Sequence, residues 1–141
     1  MTNTVLDTPS AFAAIALAAV SWDGVLTPAG SRALRHTLDY RHPFRDYGEE
    51  QMVLLMDHLL RRLQRIGAQH LMVEAAATLS PEQRNTAYAV AVEIMRSDGQ
   101  LEEDERNILA NLEAVLELNP EQTSDILSVM NILHADLTAT A

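Results

Sequence analysis

The stretch that decides the fold is Tyr88 to Arg106, which reads YAVAVEIMRSDGQLEEDER. It begins with apolar residues at helical spacing, stops at Asp98-Gly99, and resumes with Leu101 ahead of a run of acidic residues. Glycine ends a helix readily because it adopts positive φ without a Cβ clash, and aspartate can accept bonds from nearby backbone N–H groups. The pattern therefore predicts two helices joined by a short corner.

The same pattern occurs 75 positions earlier, where an apolar helix is followed by Asp23-Gly24 and then by Leu26. At this offset several further residues coincide, among them Leu34 with Leu109. We interpret the chain as two diverged copies of one helix, Asp-Gly turn, helix unit. Asp23, Gly24, Asp98 and Gly99 are the predicted structural turns.

Helix starts are indicated wherever a side-chain acceptor precedes proline, because the fixed φ of proline suits the beginning of a helix. This arrangement occurs at Thr8-Pro9, Thr27-Pro28, Ser80-Pro81 and Asn119-Pro120. Ser80 also has Gln83 three residues later, the spacing of a capping box. These positions divide the chain into helical segments.

The resulting prediction is an all-α, compact single-domain bundle of about seven helices with an internal helix-turn-helix duplication. The predicted helices cover residues 9–22, 28–40, 49–66, 68–79, 81–97, 102–118 and 120–137. The first is apolar on every side, which is typical of a central helix. The last presents an apolar stripe: Ile126, Val129, Met130, Leu133 and Leu137. The domain is expected to span residues 1–141, with flexible ends at 1–8 and 138–141.

Composition excludes several classes of protein. The 141 residues include no cysteine, which excludes disulfides and thiolate metal sites. The net charge of −10 argues against binding to nucleic acid, which relies on clustered basic residues. The longest apolar run, Ala11 to Val20, is too short to cross a bilayer and lacks the basic residues of a secretory signal. A cytoplasmic location is the expectation.

The second corner carries the most plausible site. Glu102, Glu103, Asp104 and Glu105 follow Asp98-Gly99, and crowded carboxylates repel one another unless a cation relieves them. We predict that Asp98, Glu102 and Glu105 converge on a divalent cation such as calcium or magnesium, which prefers oxygen ligands. The alternative is a solvated acidic turn stabilised by the helix dipole. The spacing does not match an EF-hand.

No other constellation predicts chemistry. The five histidines are scattered, and His70 with Glu74 is interpreted as an ordinary surface contact. Trp22 is expected to fill the core. No phosphate loop, nucleophile elbow or zinc-binding motif is present, so no catalytic or cofactor-binding residue is assigned and the protein is expected not to be an enzyme.

These residues resemble the tellurite-resistance TerB-like domain family, from about Phe12 to Leu137 and most strongly in 88–106. The resemblance implies a bundle of about seven helices with internal pseudo-symmetry, acidic residues that hold divalent cations, and a role in stress response or membrane-associated complexes. It carries over at Asp98, Gly99, Glu102 and Glu105. In the first copy Thr27, Pro28 and Gly30 stand at the positions of Glu102, Glu103 and Glu105.

The expected function is therefore that of a non-catalytic domain. It would bind a divalent cation, a protein partner or both through the acidic second half, where residues 93–141 hold eleven acids against two arginines. The alternative is a protein-interaction or scaffold module in which the acidic turn is structural. A peripheral membrane complex is implied only by the resemblance.

Overall fold

The computed structural model describes residues 6–97 and 99–138, and within them it contains seven α-helices and no strand. The helices are α1 (Thr8–Val20), α2 (Pro28–Asp39), α3 (Glu49–Ile66), α4 (Ala68–Ala76), α5 (Pro81–Arg96), α6 (Glu103–Val115) and α7 (Pro120–Leu133), with a 3-10 turn at Phe44–Asp46. The all-α prediction is confirmed. None of these helices is long and apolar enough to cross a membrane.

Helix α1 lies at the centre of the bundle. Its residues from Ala13 to Ala19 are all buried, and its main neighbours are α4 and α5. Alanine predominates on this helix, and small side chains allow neighbouring helices to approach it from several directions. The predicted central position is confirmed, and α1 and α5 bring the two copies of the repeat side by side.

The proline-marked helix starts are confirmed at α2, α5 and α7, which begin at Pro28, Pro81 and Pro120. The first helix differs by one residue. Its N-cap is Asp7 rather than Thr8, and the Asp7 carboxylate accepts a hydrogen bond from Ser10 N at 2.9 Å. An aspartate three residues before a free N–H is as good a cap as threonine, so proline falls at the second helical position.

Helices α4, α6 and α7 end three or more residues earlier than predicted, and α4 ends at Ala76 instead of Leu79. Helix α6 stops at Val115 because Glu117 adopts a φ of +55° and the chain reverses there. Leu118 N donates to Glu113 O at 3.1 Å, which is the hydrogen bond of a Schellman motif. Helix α7 stops at Leu133, and beyond it the Asp136 carboxylate accepts from Thr138 N at 2.8 Å in a turn.

The apolar stripe predicted on α7 is only partly buried. Ile126 and Met130 pack against the core, whereas Val129, Leu133 and Leu137 are exposed. The bundle offers no further element to cover them among the described residues. Three of the five residues of the predicted stripe therefore face solvent.

Arg84 joins the ends of two helices that are distant in sequence. Its guanidinium donates to Ala76 O of α4 at 2.7 Å and to Leu116 O at the end of α6 at 3.1 Å. The last carbonyls of a helix have no partner within the helix, and a cation there complements the helix dipole. This contact fixes α4 and α6 relative to α5.

The expected flexible ends lie partly outside the described residues, namely at 1–5 and 139–141. Of the remainder, Leu6 is buried in the core and its carbonyl accepts from the Thr78 hydroxyl at 3.2 Å. Thr8 is already helical, and Thr138 belongs to the turn after α7.

Candidate functional site

The first corner joins α1 to α2 through Gly24, whose φ is +86°. Gly24 N donates to Ser21 O at 2.8 Å, and the Asp23 carboxylate accepts from Val25 N at 3.1 Å. Gln64 of α3 also donates to Gly24 O at 3.1 Å. These bonds account for the predicted turn role of Asp23 and Gly24 without any ligand.

The second corner joins α5 to α6 through Gly99, whose φ is +128°. Gly99 N donates to Arg96 O at 3.0 Å, and the Arg96 guanidinium donates in return to Gly99 O at 2.6 Å. Asp98, predicted both as a turn residue and as a metal ligand, lies outside the described residues. The role of Gly99 as a turn residue follows from its positive φ, which disfavours any side chain.

The two corners follow the 75-residue offset found in the sequence. Gly24 bonds to Ser21 as Gly99 bonds to Arg96. The N-caps of α2 and α6 are Thr27 and Glu102, which are also equivalent at this offset. The backbone thus repeats even where the side chains have diverged.

A cleft of about 560 Å³, here called the corner cleft, opens between the two corners. Its walls come from both copies, and most of its lining residues form equivalent pairs: Ala19 with Ile94, Val20 with Met95, Trp22 with Ser97, Ala29 with Asp104, Gly30 with Glu105, and Ala33 with Ile108. The cleft therefore lies on the internal pseudo-symmetry axis. Asp23, Thr27 and Asn107 complete the lining.

The carboxylates of the corner cleft are unevenly distributed. The second copy supplies Asp104 and Glu105, while the first supplies Asp23. At the positions equivalent to Asp104 and Glu105, the first copy has Ala29 and Gly30, which carry no carboxylate. The two walls of the cleft are thus equivalent in backbone position, but the wall from the second copy carries more carboxylates.

The structure describes two of the three predicted metal ligands, Glu102 and Glu105. Glu105 lines the corner cleft, and its Oε1 accepts a hydrogen bond from Glu102 N at 2.9 Å in a capping interaction. Glu102 is exposed at the N-cap of α6 and does not line the cleft. Across residues 6–97 and 99–138, no three histidine, aspartate or glutamate side chains gather closely enough to hold a metal ion. A site that includes Asp98 stays a prediction.

Sequence reasoning missed two contributors to this cleft. Asp104 lines it although Glu102 does not, because the first turn of α6 points these neighbours in different directions. Trp22 was expected in the core, but it is 39% exposed and lines the cleft, while Ser21 takes the buried position. The repeat was the available signal, since Trp22 is equivalent to Ser97 and both face the same opening.

The predicted contact between His70 and Glu74 is wrong. His70 Nδ1 lies 3.1 Å from Ile66 O, whereas the Glu74 carboxylate takes two hydrogen bonds from Arg62 of α3, at 2.6 and 2.5 Å. This charged hydrogen bond lowers the pKa of Glu74 from its usual value. Arg62 reaches across the α3–α4 junction, and a bidentate arginine is a stronger partner than histidine.

The sequence that forms this architecture matches one protein family. Residues 10–128 match the model of a protein family described as tellurite resistance protein TerB. No curated protein and no solved structure matches the chain. The matched range covers α2 to α6 and most of α1 and α7, and so includes both corners and the cleft between them.

Proposed function

The chain belongs to the tellurite resistance protein TerB family, and we propose that it is a non-catalytic cytoplasmic domain that binds a divalent cation in the corner cleft as part of a stress response. The observation that carries the proposal is the set of carboxylates from both copies, Asp23, Asp104 and Glu105, on the walls of one cleft. Calcium and magnesium favour such oxygen ligands, and magnesium commonly keeps several waters beside one or two carboxylates. A hydrated ion suits a cleft of about 560 Å³.

The charge of the second corner supports the same assignment. Glu102, Glu103, Asp104 and Glu105 are consecutive, and none of them forms an ion pair within the described part of the chain. The α6 dipole stabilises these carboxylates at its N-terminus, typically by 0.3–1 kcal/mol each, but their mutual repulsion remains. A bound cation would relieve it.

The experiment is a titration of the ¹⁵N-labelled full chain with calcium, magnesium and zinc, followed by amide chemical shifts. We expect saturable shifts at Ser97, at Gly99 through Ile108 and at Trp22 through Gly24. Asp104→Asn should weaken the affinity about tenfold or more, which corresponds to about 1.4 kcal/mol. Asp23→Asn should also weaken it because Asp23 lines the same cleft, and Asp98→Asn tests the ligand that was predicted from the sequence alone.

The matched control is Glu103→Gln, because Glu103 lies in the same helical turn but does not line the cleft. It removes the same charge and should change the affinity less than about twofold. Absence of a saturable shift with every ion would refute cation binding. An equal loss for Glu103→Gln and Asp104→Asn would show that only diffuse negative charge matters.

A second candidate function is that of a protein-interaction or scaffold module. The observation that favours it is the apolar surface of α7, where Val129 is 55%, Ile132 76% and Leu133 64% exposed. Exposed clusters of large apolar side chains often mark partner surfaces. The two candidates separate in a survival assay under tellurite or oxidative stress in the native host. Loss with Asp104→Asn supports the cation site, whereas loss only with Ile132→Ser supports the scaffold.

A further inference from the structure

A second cleft lies at the opposite end of α1 from the Asp-Gly corners, beside the first residues of this helix. It has a volume of about 370 Å³ and is lined mainly by the start of α1 and by the α2–α3 connection, with Gln83 and Thr86 of α5 forming the remaining wall. We call it the Arg41 pocket. Its size falls at the small end of the range for ligand sites, about 300–1,000 Å³, and it shares no lining residue with the corner cleft.

The aromatic residues of this chain are concentrated around the Arg41 pocket. The sequence has only one Trp, three Tyr and two Phe, yet Phe12, Tyr40 and Phe44 all line this one pocket. The Phe12 and Phe44 ring centroids are 6.4 Å apart, and Tyr47 meets Phe44 edge-on at 5.6 Å. These rings, with Pro9 and Pro43, give the pocket rigid, flat, apolar walls.

Arg41 is held among these rings without an acidic partner. Its guanidinium carbon lies 5.7 Å from the Phe12 ring centroid and 5.2 Å from that of Tyr40, within the range of a cation–π interaction. Its one side-chain hydrogen bond is a long contact of 3.3 Å from Nη2 to the Tyr40 hydroxyl, and its Nε is buried with no partner among the described residues.

The lack of an acidic partner for Arg41 is informative because this arginine is half-buried. Several other arginines of the described chain also lack a carboxylate partner but are exposed to water: Arg32, Arg45, Arg65 and Arg106. Arg96 is buried and also lacks a carboxylate partner among the described residues, but it donates a short hydrogen bond to Gly99 O at 2.6 Å. Water satisfies an exposed charge, whereas a partly desolvated guanidinium with unused donors is costly. His42, the other basic residue of the lining, is already 3.3 Å from the Asp46 carboxylate.

We propose that the Arg41 pocket binds a small aromatic carboxylic acid. The ligand ring packs against Phe12, Tyr40 and the two prolines of the lining, and its carboxylate accepts hydrogen bonds from the guanidinium N–H groups of Arg41. Arginine suits this role because its planar group can face a carboxylate with two donors while it rests on an aromatic ring. This site is independent of the cation site, and neither proposal requires the other.

The test is an amide-shift titration of the labelled chain with phenylacetate and, separately, with its neutral analogue phenylacetamide. We expect saturable binding of phenylacetate in the millimolar range or tighter, with the largest shifts at Phe12, Arg41, Phe44 and Thr86. Phenylacetamide should bind at least about tenfold more weakly because it lacks the negative charge. Arg41→Met should produce a similar loss for phenylacetate.

Arg45→Met is the matched control, since Arg45 lies in the same connection but is exposed and does not line the pocket. It should leave the affinity within about twofold. If Arg41→Met does not fold, Thr86→Leu narrows the pocket from the α5 wall and should also weaken binding. The proposal is overturned by absence of saturation, by equal affinity for acid and amide, by equal losses in the two arginine variants, or by unchanged binding in Thr86→Leu.

Discussion

Gly24 is the residue on which the geometry of the first corner depends. Its φ of +86° allows its N–H to reach Ser21 O at 2.8 Å while its carbonyl accepts from Gln64. A Cβ at this position would meet only Leu63 Cδ2, at 4.0 Å, an ordinary contact. The demand for glycine is therefore one of backbone conformation and not of space.

Gly24→Ala should destabilise the fold by about 1–2 kcal/mol, the cost of placing a Cβ in the left-handed region. Gly24→Asn should cost less, because asparagine tolerates positive φ. Urea denaturation followed by circular dichroism measures both. Equal losses for the two variants would mean that crowding, not backbone conformation, sets the cost.

The equivalent residues Ser21 and Arg96 show how far the two corners have diverged. Both are buried at the end of their helix, and each retains a side-chain atom without a hydrogen-bond partner in the described residues. Ser21 is small, whereas Arg96 extends to Gly99 O at 2.6 Å. One backbone corner thus accommodates very different side chains, which is why the repeat is faint in the sequence.

Helix α5 begins with a capping box formed by Ser80 and Gln83. Gln83 N donates to the Ser80 hydroxyl at 3.2 Å, and Ser80 N donates to Gln83 Oε1 at 2.9 Å. This reciprocal pair satisfies two N–H groups that the helix itself leaves free. It was predictable because it depends only on residues three positions apart.

Ser80→Ala should reduce the free energy of unfolding by about 1 kcal/mol. Gln83→Ala should cost less, and the double variant should lose less than the sum of the two, since each residue stabilises the other. A double-mutant cycle from urea denaturation measures the coupling. Strictly additive losses would show that the capping box is not formed in solution.

At the scale of the whole molecule, the bond between Arg62 and Glu74 ties α3 to α4 across the break at Gly67. Their side chains are 16% and 29% exposed, so water screens this pair less than a surface pair. Arg62 lowers the pKa of Glu74 mainly through the hydrogen bond. A lowered pKa in the folded state means that folding favours the ionised carboxylate.

Glu74→Gln should therefore destabilise the protein by about 1 kcal/mol at neutral pH. The difference from wild type should persist above the ordinary glutamate pKa of 4.5 and disappear as pH falls through the lower folded value. Thermal denaturation between pH 3 and 7 tests this. Asp57→Asn, which breaks an exposed pair within α3, should have a smaller effect. A difference that grows towards acid pH would contradict the sign of the shift.

The sequence by itself determined the helices, because caps, prolines and glycines act over a few residues. Ser80-Pro81 and the corner at Gly99 needed no information from elsewhere in the chain. The sequence also identified the repeat, because the Asp-Gly pairs at Asp23 and Asp98 can be aligned within this one chain. The resemblance to the TerB family rested on the same Asp-Gly pattern.

Only the tertiary structure decided which side chains meet. It separated Glu102 from the cleft that Glu105 lines, brought Trp22 out of the core, and gave Glu74 to Arg62 in place of His70. It also brought Phe12 of α1 against Arg41. These outcomes depend on how helices cross and rotate against one another, and that packing is the sum of many contacts between residues far apart in sequence.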